Sequence, residues 1–369
     1  MKFICDQNTL VKAINTVSKA VTSRTTIPVL KGILLTLKEN QLTLSSSDLE
    51  ISIEKTIFVK GEEDGALVIS AKLFSDIIRK LPSEDILIYG DEKEPLTIKT
   101  THSEFHIVGL NAEEFPKMVS IEEEKEKIVF EKEILKDMIR KTAFSASMEE
   151  SKGIIVGVLL EREKEFLNMV ALDGFRMAVV RQEMKNEKEE KIIISAKLMN
   201  EVSKIISEEE GEGKVEMILD NKKVFIVLES TKVVLRLLEG EFIKYKDILP
   251  KDKKTKIMVN KNLLQEAIER ASLLSREGKN NLVKFTITDQ LLTITSKSEE
   301  GNVKEEIVIE KAGENLEIGF NHKYILDVIK AVDDETLLME YNTPTSPCMI
   351  KHPENNGYEY LILPVRING

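Results

Sequence analysis

The chain has 369 residues, 42% hydrophobic and 32% charged, which supplies apolar material for two or three ordinary cores and excludes a disordered polymer. Its formal charge of −11 argues against bulk electrostatic attraction to nucleic acid, so the placement of Lys and Arg has to decide that question. Two cysteines in unrelated segments, Cys5 and Cys348, exclude a disulfide framework and a CxxC metal site and read as reduced, buried thiols.

In chain order, Lys2–Cys5 reads as a short strand and 6–21 as an amphipathic helix with Leu10, Ile14 and Val17 on one face. Alternating strands follow in GILLTL from Gly32, QLTLSSS from Gln41 and EISIEKTIFV from Glu50. The second half of this segment repeats the order: ALVIS from Ala66, a helix over 72–81, then DILIYG from Asp85, LTIKTT from Leu96 and EFHIVGL from Glu104.

The whole arrangement then recurs. NQLTLSSSD around Leu42, EFLNMVALD around Leu167 and QLLTITSKS around Leu292 lie 125 residues apart each time. ISAKLFSDIIRKL at 69–81 aligns with IISAKLMNEVSKII at 193–206 and IGFNHKYILDVIKAV at 318–332. LVKAI from Leu10 likewise matches LKDMI from Leu135 and LQEAI from Leu264. A third of the chain is 123 residues, a normal domain length, so each repeat is expected to be one domain. The expected bounds are 1–120, 126–250 and 255–369, with charged stretches at 121–127 and 251–256 between them. Helices kept to one face of antiparallel sheets make the fold class α+β.

Charge is unevenly shared. The expected helices at 6–21, 72–81, 131–147, 197–206, 261–276 and 322–332 are each net positive, together +7, which leaves −18 for the remainder. The acidic clusters 122–124, 187–190 and 208–210 fall in expected loops. Lys and Arg solvate the outer face of many single helices. Six equivalent helices of one sign in an acidic chain point further, to a shared basic surface suited to phosphates. No base-reading motif accompanies it, so binding would be to backbone, independent of sequence.

Catalytic constellations are not found. His102 and His106, four apart in an expected strand, would lie roughly 13 Å from each other, too far for one metal ion. GEGK at 211–214 departs from the phosphate-loop pattern, with Glu208 and Val215 where Gly and Ser or Thr are needed. The chain reads as a non-enzyme without cofactor or metal. The lack of an 18-residue apolar run, and Asp6 so close to the N-terminus, give the expectation of a cytoplasmic protein.

Over essentially its whole length the sequence resembles the bacterial sliding clamps, the DNA polymerase III beta subunits. The motifs that carry the resemblance are SRTTIPVLKGILL at 23–35, SSDLE at 46–50, Phe115-Pro116, ALDGFRM at 171–177, GFNHKYILDVI at 319–329 and YLILPVR at 360–366. The resemblance implies three DNA-clamp domains per chain, each of two helices plus antiparallel sheets, and a head-to-tail homodimer that closes into a six-domain ring. Such a ring is a replication processivity factor, sliding on double-stranded DNA and tethering replicative and repair polymerases, the clamp loader and other clients. Phosphate contacts are then expected at Arg24, Lys72, Arg79, Lys80, Arg140, Lys141, Lys197 and Lys204.

The resemblance further implies a hydrophobic groove for a client's short linear motif. Carried over by position, it comprises Ile155, Leu172, Gly174, Phe175, Arg176, Met177, Ile248, Tyr324, Ser346, Pro347 and the terminal Leu361, Ile362, Leu363, Pro364, Val365 and Arg366. Apolar side chains at a chain end need a pocket to hold them, and Pro364 should make the chain leave its sheet. Phe105, Leu273 and Leu274 are the implied dimer contacts. The chain departs from the family pattern at Ile243-Lys244-Tyr245, where clamps often carry Pro-Asp-Tyr, and at Glu149-Glu150 with Gly153-Ile154, where Gln and aromatic residues are common. The competing reading is a monomeric, repeat-built protein-binding adaptor that never encircles DNA, which the acidic net charge favours.

Overall fold

The computed structural model describes residues 1–91, 93–118, 121, 126–186, 188–209, 211, 213–220, 222–275, 281–354 and 357–367. Six α-helices occur among them: α1 Gln7–Val17, α2 Ala71–Lys80, α3 Lys132–Thr142, α4 Ala196–Glu208, α5 Lys261–Ser275 and α6 His322–Ala331. Asp6 caps α1 by accepting the Thr9 backbone N–H at 2.8 Å, and Leu10, Ala13, Ile14 and Val17 form the buried stripe. Leu135 and Leu264, the repeat equivalents of Leu10, are likewise fully buried.

Two helices are shorter than the sequence suggested. The chain tightens into a 3-10 turn at Ser18–Ala20 instead of continuing α1 to residue 21, and at Ala143–Ser145 instead of continuing α3 to 147. The Ser18 and Thr142 hydroxyls donate to the carbonyls of Ile14 at 2.6 Å and Met138 at 2.7 Å, local side-chain bonds of the kind that accompany helix ends. None of these helices is long and apolar enough to cross a membrane.

The chain forms two compact units, Met1–Lys136 with Glu201–Leu237, and Asp137–Asn200 with Leu238–Gly369. In the first, five antiparallel strands run in the order Lys60–Glu63, Lys2–Asp6, Asp85–Tyr89, Leu96–Lys99, Glu104–Ile107. A second sheet of eight runs Lys127–Glu131, Lys214–Asp220, Lys223–Val227, Thr231–Arg236, Ile51–Phe58, Gln41–Ser47, Gly32–Lys38, Gly65–Ser70. Helices α1 and α2 pack on each other and on these strands, and the buried Gln7 side chain ties them by donating to the Ile78 carbonyl at 2.8 Å.

In the second unit a nine-stranded sheet runs Glu190–Ser195, Gly157–Arg162, Phe166–Leu172, Arg176–Glu183, Tyr358–Ile362, Cys348–Lys351, Thr336–Tyr341, Thr255–Asn260, Glu310–Gly313. A four-stranded sheet runs Asn302–Val308, Leu291–Lys297, Leu282–Thr288, Leu316–Asn321. Helices α5 and α6 pack together there, with His322 Nδ1 2.8 Å from the Ser275 hydroxyl.

Each long sheet therefore crosses from one repeat to the next. Val233 pairs with Ile53 and Tyr360 with Ala178, all four fully buried, so the apolar faces of adjoining repeats form continuous cores.

The acidic clusters correct one expectation. Glu208 ends α4 and meets Lys19 at 2.7 Å, and Glu209 receives Lys55 at 2.6 Å with the Ser230 and Thr231 hydroxyls. These two carboxylates are tied to partners in place of the solvated loop expected of them. Glu190 opens a strand, whereas residues 122–124, 187 and 210 lie outside the described ones.

Candidate functional site

The sharp turn between Phe166–Leu172 and Arg176–Glu183 stands where the resemblance places one wall of the expected groove. Asp173 Oδ1 accepts the Phe175 and Arg176 backbone N–H groups at 2.8 and 3.0 Å, and Gly174 sits at φ +94° with open space about it. That backbone conformation costs a side-chain-bearing residue energy that glycine is spared. The turn leaves Phe175 57% exposed, its ring stacked on Tyr324 of α6 at 6.3 Å.

Arg176 fastens this wall. Its guanidinium meets Asp173 at 3.0 Å and Asp327 of α6, donates to the Phe144 carbonyl at 2.8 Å, and lies 4.8 Å from the Tyr324 ring centroid. A half-buried cation bonded to two carboxylates and a carbonyl, between aromatic rings, holds strand, helix and turn in one geometry.

The floor comes from alternate residues of the sheet. Leu159, Val170, Leu172, Met177, Val179, Met349 and Leu361 form one buried apolar cluster with Ile193 and Tyr245, and Ile155 and Leu363 pack against it half-exposed. Leu361 pairs with Met177 and Met349, so the last strand is both core and floor. Ile362 turns to the opposite face by the two-residue period of a strand and is fully buried there, outside the cluster.

Beyond Ile362 the chain leaves its sheet as Pro364 requires. Leu363 N–H still reaches the Phe175 carbonyl at 2.8 Å, and Val365 then bridges to Gly319 of the four-stranded sheet. Arg366 is exposed. Ser346, its hydroxyl 2.6 Å from that of Thr343, and Pro347 form the half-buried approach to Cys348–Lys351. Ile248 stands 42% exposed in the segment 242–249.

That segment also supplies residues the sequence reading did not name: Phe242 and Leu249, joined by Leu238 and Ile154, pack against the same apolar cluster. Apolar density in a connecting stretch was the available signal. At the departure from the family pattern, Tyr245 is buried and its hydroxyl donates to Glu161 at 2.5 Å, whereas Ile243 and Lys244 remain partly exposed. Burial alone would raise the Glu161 carboxyl, but bonds from Lys191 and Tyr245 and the charge of Lys246 hold it down at about 2.

The cations expected to meet phosphate divide into two kinds. Arg24, in the loop before Pro28, Lys72 and Lys80 on α2 and Lys197 on α4 are exposed, with no ion pair among the described residues. Arg79 is bonded to Asp76 at 2.8 Å, Lys204 to Glu201 at 2.8 Å, Lys141 to Asp137 at 2.5 Å, and Arg140 to both Asp137 and Asp333. Arg140 overcomes a small burial effect to hold the Asp333 carboxyl below its ordinary range.

Over its observed bounds α4 is neutral, because it extends to Glu208, whereas Arg276, counted with α5 in the sequence, lies outside the described residues. Over their observed bounds α1, α2, α3 and α6 are net positive. The proposed dimer contacts are surface-facing: Phe105 is 38% and Leu273 64% exposed, and Leu274 is half-buried. His106 is exposed beside Glu104, and no metal-binding group of His, Cys, Asp and Glu occurs among the described residues.

Three copies of one helix-and-antiparallel-sheet domain, joined edge to edge, place the chain in the class of DNA-clamp folds. Family models of the DNA polymerase III beta subunit match it at 1–119 for the N-terminal domain, 129–244 for the central domain and 246–366 for the C-terminal domain. The beta sliding clamp of Halalkalibacterium halodurans is 34% identical over 383 aligned positions, covering 99% of this chain and all of that protein. The crystal structure of the Bacillus subtilis DNA polymerase sliding clamp matches with TM-score 0.95 and 33% identity over the full length of both chains. A Pseudomonas aeruginosa sliding clamp bound to griselimycin matches with TM-score 0.92 and 26% identity, again over both full lengths. The chain belongs to the beta sliding clamp family, and as such is a processivity factor of DNA replication, not a catalytic subunit.

Proposed function

We propose that two copies of this chain, each with clamp domains 1–120, 126–250 and 255–369, close head to tail into a six-domain ring around double-stranded DNA. The observation that carries this reading is the pair of strand edges left open. The two junctions between repeats, Ile51–Phe58 with Thr231–Arg236 and Arg176–Glu183 with Tyr358–Ile362, use equivalent strands each time. The same rule leaves Asn302–Val308 and Glu104–Ile107 as edge strands, each with one neighbour among the described residues. Open edges of this kind can template pairing with another chain. Phe105 lies on one of them, and Leu273 and Leu274 lie on α5, which packs on the other.

Inside such a ring, Arg24, Lys72, Arg79, Lys80, Arg140, Lys141, Lys197 and Lys204 face DNA backbone without reading sequence. Individually weak, salt-sensitive phosphate contacts suffice because retention is topological. The groove from Phe175 and Arg176 to Leu363 receives short hydrophobic motifs of the replicative polymerase, the clamp loader, repair polymerases and other clients, all in the cytoplasm. Griselimycin, bound by the Pseudomonas aeruginosa relative, is expected to compete with a client peptide here.

Retention of loaded protein on nicked circular plasmid, with release after linearisation, tests encirclement in the presence of a cognate loader. Equal release from both DNAs would overturn it and leave the monomeric adaptor. Sedimentation equilibrium gives the companion result: a ring requires twice the 41.9 kDa chain mass.

A further inference from the structure

The internal repeats determine more than which edges are open. In the first repeat, residues pair across the sheet as Phe3 with Ile88, Ile88 with Ile98, and Ile98 with Phe105. In the second, the series is Ile128, Met217, Ile226, Val233, and in the third Ile257, Met339, Ile350, Tyr360. Phe105, Val233 and Tyr360 are therefore structural equivalents, each on the last strand of its repeat. Ile53, Ala178 and Val303 are equivalents on the other side, 125 residues apart in succession, as the matched pairs Thr43 with Thr56, Asn168 with Arg181 and Thr293 with Glu306 also require.

Within the chain Val233 faces Ile53 and Tyr360 faces Ala178. We infer that ring closure, on the reading proposed above, sets Phe105 opposite Val303 of a second copy, with Glu104 opposite its Lys304, and that this charge pair makes the junction selective for this chain.

The corresponding pair at the first internal junction is Lys232 opposite Glu54, a 3.5 Å ion pair. Closure thus uses the same register with the signs exchanged. At the second internal junction Glu359 lies opposite the uncharged Val179 and pairs instead with Arg181, two residues along the facing strand, at 3.0 Å. In the single chain Glu104 is bonded to Lys99 at 3.0 Å and Lys304 to Glu306 at 2.5 Å, exposed pairs that cost little to exchange. Like charges directly opposite on an antiparallel pair repel, so the sign pattern rejects a clamp copy carrying the reverse.

Register is tested by cysteine pairs. At the first internal junction, backbone bonds from Arg236 to Glu50 and from Thr56 to Ser230 leave Val233 and Ile53 a non-hydrogen-bonded pair. The equivalent Phe105→Cys with Val303→Cys should therefore place the two Cβ atoms about 4.5–5.5 Å apart, near disulfide reach. Mild oxidation is expected to give covalent dimer from this variant and far less from Phe105→Cys with Gly301→Cys or with Glu305→Cys. Cys5 and Cys348 are buried and do not compete. Preferential cross-linking of either shifted pair would overturn the register.

Selectivity is tested by charge exchange. Glu104→Lys is expected to raise the dimer dissociation constant roughly tenfold, because both symmetric junctions acquire like charges. Adding Lys304→Glu should restore it, and the doubly exchanged chain mixed with the natural one should give homodimers predominantly, with mixed dimers far below the statistical half. An unchanged constant, or free mixing, would overturn the pairing. A natural chain that stays at 41.9 kDa would instead refute the ring itself, so the two failures are distinguishable.

Discussion

Removing a single oxygen atom, by Tyr245→Phe, should loosen the segment 242–249 while its ring stays in the groove floor. The hydroxyl donates to Glu161 at 2.5 Å, and the same buried carboxyl receives Lys191 at 2.8 Å and Lys246 at 3.3 Å. A hydrogen bond to a charged group contributes about 1.5–3 kcal/mol. Since about 1.4 kcal/mol is a factor of ten, local opening should rise roughly ten- to hundredfold. Hydrogen exchange of peptides covering 242–249 at pH 7 reads this directly, because the Ile248 N–H is held by the Tyr245 carbonyl at 3.1 Å. The pH dependence has a definite sign. Glu161, at about 2, titrates below its ordinary value of 4.5, so its stabilisation is complete above that ordinary value and disappears as pH falls towards 2. The difference between variant and natural protein should accordingly be greatest near neutrality and shrink in acid. Exchange unchanged within twofold at pH 7 would refute the reasoning and show that ring packing alone holds the segment.

Arg176→Met should cost about 1.5–3 kcal/mol, since it strips the cation from the half-buried Asp173 and the donor from the Phe144 carbonyl, and a Tm matching the natural protein would contradict this. Deletion of 363–369 should abolish client-peptide binding and leave the fold intact by circular dichroism; unchanged affinity would remove the groove from this end of the chain. Lys72→Ala with Lys80→Ala should lower the slope of log affinity for duplex DNA against log salt by about 2, and an unchanged slope would take α2 away from the phosphates.

Much of the organisation was legible before any coordinates. Residues at matching positions of three repeats, such as Leu42, Leu167 and Leu292, are apolar and fully buried because every copy must fill the same core. The helices stand within a few residues of the expected spans, since their 3.6-residue stripes are local signals. Pro364 announced the departure of the chain from its sheet.

Other features depend on residues that only folding brings together. Arg176 meets Asp327 across 151 positions, and Tyr245 meets Glu161 across 84, so nothing in either neighbourhood disclosed the partner. Counting charges along the sequence made all six helices basic, whereas the structure pairs Arg140 with Asp333 and Lys19 with Glu208, which only distances can reveal. The sequence by itself determined the threefold repetition, the α+β class and the family, because periodic burial, repeated segments and short motifs are written residue by residue. The tertiary structure decided which repeats share a sheet, which strands remain open and in what register, because strand pairing is set by contacts between segments far apart along the chain.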